Sequence, residues 1–101
     1  MTINENRNNE TLVLALEGRL DTTTAPELEA VVEKIPEDVK ELVVDMEKLE
    51  YISSAGLRVV LAAHKLMCEE RTGTMRVKNV CDGIMEIFDM TGFTDVLNIQ
   101  E

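Results

Sequence analysis

Aromatic side chains are nearly missing from this 101-residue chain, which has no Trp, one Tyr (Tyr51) and two Phe (Phe88 and Phe93). Without large rings, its core has to be aliphatic, drawn from Val, Ile, Leu, Ala and Met. Apolar residues make up 45 % of the chain. That is enough for one modest core, which at this length folds without disulfides or metal. Positive charge is also scarce: 10 Lys and Arg stand against 20 Asp and Glu, a net charge of −10. Such a surface repels phosphate backbones and anionic lipid, so nucleic acid is not an expected partner. A partner with a basic contact surface is favoured instead. No apolar run approaches the roughly 18 residues a membrane-spanning helix needs. The N-terminus lacks the charged-then-apolar pattern of a secretory signal. The expectation is a single domain over residues 1–101, cytoplasmic and not inserted in a membrane. In that setting Cys68 and Cys81 read as free thiols rather than a disulfide.

Catalytic signatures are missing too. No glycine-rich phosphate loop of either common spacing occurs. The one histidine, His64, pairs with Cys68 at i, i+4, but two ligands fall short of the three or four a zinc site wants. His64 also lies about two to three helical turns beyond Ser54, too far to act as its base. No catalytic residue, metal or cofactor is expected.

What the chain does contain is alternating strand and helix signals. Thr2–Asn6 reads as an edge strand, followed by turn chemistry at Asn6–Asn9. Leu12–Leu16 is a continuous apolar run, expected to be buried on both faces and to end at Gly18. Thr24 and Glu27 fit a capping box, with Pro26 in the first turn. Leu28, Val31, Val32 and Ile35 then form the stripe of an amphipathic helix stopped by Pro36. Leu42–Val44 reads as a short strand, and Asp45–Ile52 as a loop. Ser53 or Ser54 caps a long helix that ends near Arg71, before Gly73. Met75 and Val77 mark a strand reaching toward Val80. Asp82 caps a third helix, with Ile84, Ile87 and Phe88 facing inward and Gly92 at its end. Val96, Leu97 and Ile99 form a last strand. The order β-β-α-β-α-β-α-β predicts an α/β fold, with a mixed, mostly parallel sheet of about five strands and three main helices. The pattern leaves open whether the helices cover one face or both.

The informative segment is Tyr51-Ile52-Ser53-Ser54-Ala55-Gly56-Leu57-Arg58. Two hydroxyls stand where a loop enters a helix, and a glycine follows in the first turn. Glycine inside a helix costs about 1 kcal/mol relative to alanine, so it asks for a reason. One reason is close packing of the helix start on the sheet. The other is access for a docking protein. Leu57, Val60, Leu61 and Met67 form the apolar side of this helix. Ser54, Arg58, Ala62, Lys65 and Glu69 share the opposite stripe. A phosphate on Ser54 would add about −1.5 to −2 charges at the positive end of the helix dipole, leaving the fold intact and changing what the face can dock against.

Five segments resemble the STAS domain of bacterial anti-sigma factor antagonists. They are Gly18–Asp21, Leu42–Asp45, Leu49–Ile52, the serine motif Ser53–Leu57, and the third-helix ending Ile87–Phe93. The resemblance spans nearly the whole chain and implies the STAS fold. It implies a partner-switching protein rather than an enzyme, without a tightly bound cofactor and read as a monomer. In such a cycle the unphosphorylated protein binds an anti-sigma factor that is also a serine protein kinase. Phosphorylation of the motif serine, here Ser54, abolishes binding, and a phosphatase restores it. The partner-binding residues so implied are Asp21, Thr22, Ser53, Ser54, Ala55, Gly56, Arg58 and Ala62. Two positions depart from the family pattern: Ser53 stands where an Asp is usual, and Arg58 where Gly is frequent. The competing expectation is a STAS subunit that is never phosphorylated and binds a transporter ATPase or another regulatory assembly.

Overall fold

A computed structural model describes residues 1–100. Its strands are β1 (Thr2–Asn8), β2 (Thr11–Leu20), β3 (Glu41–Ile52), β4 (Thr74–Lys78) and β5 (Asn98–Gln100). Its helices are α1 (Ala25–Glu33), α2 (Ser54–Lys65) and α3 (Asp82–Thr91). β1 and β2 form an antiparallel hairpin turning at Asn9, whose φ of 57° is the left-handed conformation that asparagine tolerates. Each later strand joins in parallel, so the sheet runs β1-β2-β3-β4-β5.

That order decides where the helices lie. Every crossover steps in the same direction across the sheet. Right-handed crossovers that never reverse put all their helices on one face. Leu12, Leu14 and Leu16 of β2 and Leu42, Val44 and Met46 of β3 share one apolar cluster with all three helices. Those helices contribute Leu28 and Val32 from α1, Leu57 and Val60 from α2, and Ile84 and Phe88 from α3. The opposite face is mixed, with Val13 paired to a buried Val43 and polar side chains around them. One register row there holds Asn4, Ala15, Asp45 and Lys78. Beside it, the Arg76 guanidinium donates two hydrogen bonds to the Glu41 carboxylate, each 3.1 Å.

The one-sided cover corrects the reading of β2 as buried on both faces. Leu12, Leu14 and Leu16 are buried, but Val13 and Ala15 are only half-buried because no helix lies over them. Nor does the strand end at Gly18. That residue takes a φ of 105°, and pairing resumes at Arg19 and Leu20. The expected loop Asp45–Ile52 is likewise strand, and β3 runs for 12 residues. Two register shifts in the β2–β3 ladder absorb the twist and let pairing continue to the strand ends.

Three further expectations change. Thr24 makes no capping bond. Its hydroxyl donates to the Arg19 carbonyl and accepts from the Asp21 N–H, both at 2.8 Å, so it folds the preceding loop instead. Asp82 is the first helical residue of α3 rather than its cap, and Cys81 stands in the capping position. Val96 and Leu97 precede β5, which keeps only Ile99 of the expected apolar trio. The long middle helix does persist, as α2 continuing into a wider π-type turn over Leu66–Glu70. Gly92 ends α3 with a φ of 80°, the left-handed terminus that glycine permits.

α2 begins directly on the C-terminal ends of β2 and β3. A Cβ at Gly56 would lie 2.7 Å from Leu20 Cγ and 2.9 Å from the Leu20 carbonyl oxygen. Close packing therefore accounts for the glycine. Gly56→Ala is expected to cost about 1–3 kcal/mol through overpacking, read as a lower urea midpoint with an unchanged slope. An unchanged midpoint would mean that α2 does not sit this tightly on Leu20.

Leu57 and Val60 are buried on the core side of α2, and Arg58 is exposed between them. Leu57→Ala is expected to lose about 2–5 kcal/mol, while Arg58→Glu stays within about 0.5 kcal/mol of wild type. Equal unfolding midpoints for the two variants would refute this orientation of the helix.

Candidate functional site

The β2–β3 ladder pairs Arg19 with Tyr51 and Leu20 with Ile52. One residue further on, the Ser53 N–H donates to the Leu20 carbonyl at 2.9 Å. The loop after β2 and the start of α2 therefore stand side by side at one rim of the sheet. Asp21 organises the loop. Its Oδ1 accepts from the Thr23 hydroxyl at 2.8 Å, the Thr23 N–H at 3.0 Å and the Thr24 N–H at 3.2 Å. The Thr23 hydroxyl above all, supported by the two backbone donors, holds the Asp21 carboxyl below its ordinary range. Thr22 is exposed at the tip of this turn.

Arg19 and Tyr51 belong to the same rim, and neither was singled out as a site residue from the sequence. The Arg19 guanidinium lies over the Tyr51 ring, 4.3 Å from its centroid, with Nε 3.8 Å from Asp21 Oδ2. The signal that could have found them is the β2–β3 register, which the two bulges conceal. Tyr51 remains 39 % exposed, a large side chain left partly open at the rim.

The two serines divide their roles. Ser53 has extended backbone, and its Oγ accepts from the Gly56 N–H at 3.3 Å, which makes it the cap of α2. Ser54 is the first helical residue and is exposed, its hydroxyl outside the cap. Ala55 is half-buried against the core. Gly56, also among the residues expected to meet a partner, is buried and carries no side chain. It sets how closely the helix approaches the sheet. Ser54, Arg58, Ala62, Lys65 and Glu69 are exposed along one stripe. Ala62 opens onto a shallow groove of about 330 Å³ between α1 and α2, floored by Val32, Val59 and Leu66 and edged by Glu29 and Glu33. The rim thus brings Asp21, Thr22, Ser53 and Ser54 together, while Arg58 and Ala62 extend the surface along α2.

His64 Nδ1 lies 3.7 Å from Cys68 Sγ, the i, i+4 pair expected from the spacing. Among the described residues no third ligand joins them. No helix among the described residues is long and apolar enough to cross a membrane.

The same architecture recurs in known proteins. A family model described as "Mlab, STAS domain" matches residues 3–99. The anti-sigma-B factor antagonist of Bacillus subtilis is 23% identical over 99 residues, covering 98% of this chain and 90% of that protein. An anti-sigma factor antagonist from Mycobacterium paratuberculosis superposes with a TM-score of 0.85 at 23% identity, over 97% of this chain and 83% of its own. The Bacillus cell fate determinant SpoIIAA superposes in both of its forms. The unphosphorylated form gives a TM-score of 0.78 at 18% identity, over 99% of this chain and 88% of its own. The phosphorylated form gives 0.77 at 19% identity, over 99% and 92%. With one family model spanning almost every residue from β1 to β5, this chain belongs to the STAS domain family.

Proposed function

We propose that this protein is an anti-sigma factor antagonist, switched off by phosphorylation of Ser54. The observation that carries the reading is the division of labour at the start of α2. Ser53 spends its hydroxyl on the helix cap, which leaves the Ser54 hydroxyl exposed at a rim built from the Asp21 loop. The relatives named as antagonists support it. The likeness to SpoIIAA in both phosphorylation forms fits a modification that leaves the fold intact.

In this reading the partner is an anti-sigma factor that is also a serine kinase. It docks over Asp21, Thr22 and Ser54 and along Arg58 and Ala62. The γ-phosphoryl group of ATP passes to Ser54 Oγ, ADP leaves, and the hydroxyl proton goes to solvent. A phosphatase returns the serine by hydrolysis. The chain is a substrate in this cycle and acts by binding. A phosphate at Ser54 stands at the helix end that favours anions, so the helix tolerates it. A partner pressed against that point has to desolvate the added charge, which costs several kcal/mol if nothing compensates it.

Incubation with candidate kinases and ATP, followed by phosphopeptide mapping, is expected to place the phosphate on Ser54. Modification of Ser53 alone would overturn the assignment, because the Ser53 hydroxyl is engaged in the cap.

Ser54→Asp is expected to weaken partner binding by about tenfold or more, and the phosphoprotein to weaken it further, since aspartate carries about one charge and phosphate nearly two. Ser54→Ala should bind like wild type and resist inactivation. The melting temperature of Ser54→Asp should be unchanged or slightly raised. If Ser54→Asp and the phosphoprotein bind as tightly as the wild type, the switch is refuted. A constitutive STAS subunit of a transporter ATPase or another assembly then takes its place.

A further inference from the structure

The charge around Ser54 is unlike that of the rest of the molecule. α1 and α3 each carry three carboxylates, whereas the 12 residues of α2 carry none. The chain has five arginines. Four of them are engaged. Arg7 pairs with Asp38 at 2.8 Å. Arg19 lies over Tyr51. Arg71 donates to the Ile35 and Pro36 carbonyls, both at 2.8 Å. Arg76 grips Glu41. Arg58 is exposed and has no ion-pair or hydrogen-bond partner among the described residues. It stands four residues after Ser54 on the same exposed stripe.

We propose that Arg58 is the internal counter-ion of phosphorylated Ser54, so that phosphorylation both adds a dianion and withdraws the one free arginine of the docking face. The inference rests on the reading that Ser54 is the phosphorylated residue and states how that switch works. Residues four apart on a helix are neighbours, about 5–6 Å between Cβ atoms, and an anion preceding a cation is the favoured order. The guanidinium fork matches phosphate oxygens with two parallel N–H donors, which an ammonium group does not. Of the other charges at the rim, Asp21 and Arg19 are already engaged. Asp21 is held by Thr23 and Thr24. Arg19 is stacked on Tyr51 and leans toward Asp21. Glu50, exposed near the end of β3, and Glu29 and Glu33 of α1, which edge the groove beside Ala62, are the other acidic groups near this surface, and Lys65 lies about two turns beyond Arg58 along α2. In the unmodified protein Arg58 is free to meet a carboxylate on the partner. Once Ser54 carries phosphate, the partner meets an added negative charge and loses that cation together.

The test uses the full chain with phosphoserine installed at position 54 during translation, alone and combined with Arg58→Gln or Arg58→Lys. Phosphorus NMR follows the second ionisation of the phosphate against pH. The Arg58 counter-ion is expected to lower its midpoint by about 0.3 pH unit or more relative to Arg58→Gln, with Arg58→Lys between the two. Exchange of the Arg58 Nε proton should slow only when Ser54 is phosphorylated. Thermal unfolding checks that all three proteins are folded, as expected for changes at an exposed position. Superimposable titrations for wild type and Arg58→Gln, with Nε exchange unaffected by phosphate, would overturn the proposal. Because no kinase is used, failure to find a kinase or partner counts against the function reading alone. Superimposable titrations beside a phosphate-sensitive partner count against Arg58 alone.

Discussion

The seating of α2 on Leu20 and Ile52 is the constraint from which the rest of the site follows. A Cβ at position 56 would come within 2.7 Å of the Leu20 side chain and 3.0 Å of Ile52 Cγ1. A backbone that approaches this closely fixes the first turn of the helix to the ends of the two central strands. Leu57 and Val60 must then point into the core, and Ser54, Arg58 and Ala62 must point out. The Ser53 cap belongs to the same junction. Its N–H is spent on the Leu20 carbonyl and its hydroxyl on the Gly56 N–H, so the serine beside the strands is structural and the next one is free. The exposed hydroxyl thus has its position set by core packing rather than by a flexible loop.

The sheet topology explains why the candidate surface is a rim and not a cleft. Ligand crevices in open α/β sheets form where the strand order reverses, because helices on opposite faces part there. Here the order runs from β1 to β5 without reversal, and the helices share one face. The C-terminal ends of β2 and β3 therefore present a turn and a helix start standing beside one another. Thr22 and Tyr51 are exposed on it, and the groove beside Ala62 is shallow. Such a surface is broad and shallow, the shape that the protein docking proposed above calls for.

Much of this was legible in the sequence, and the failures have a common physical origin. Helical stripes such as Leu28–Val32 and Leu57–Val60 carry a 3.6-residue period that survives inspection of one chain, so the three helices emerged directly, although on α2 the buried Val59 was missed and Leu61, expected on the apolar side, is only half-buried. The exposed stripe from Ser54 to Glu69 followed from the same period. Strands did worse because their period is two, and a single bulge inverts it. The shifts after Ala15 and Gly18 broke the alternation, so β2 was expected to end at Gly18 and the far half of β3 to be a loop. That error hid Arg19 and Tyr51, which face each other only if the ladder continues. Capping chemistry was the other weak point. Thr24 has the right side chain for a cap, but its hydroxyl serves the Asp21 turn, a choice set by neighbours that sequence spacing does not reveal.

The electrostatics join these strands of argument. A net charge of −10 keeps like surfaces apart and makes any added anion unwelcome over most of the molecule. α2 is the exception, a helix free of carboxylates whose exposed side carries Arg58 and Lys65. An acidic protein with one cationic helix face is polarised. In the cycle proposed above, the general field draws in a basic partner surface and Arg58 is the group offered to that partner's carboxylates. Long-range attraction mainly sets the rate of encounter, whereas a desolvated contact sets the rate of release. A phosphate at Ser54 adds about −1.5 to −2 to a net charge of −10, but locally it offsets the positive charge of Arg58 and Lys65 almost completely. A single modification at that point can therefore act on the lifetime of a complex while leaving encounter and fold nearly as they were.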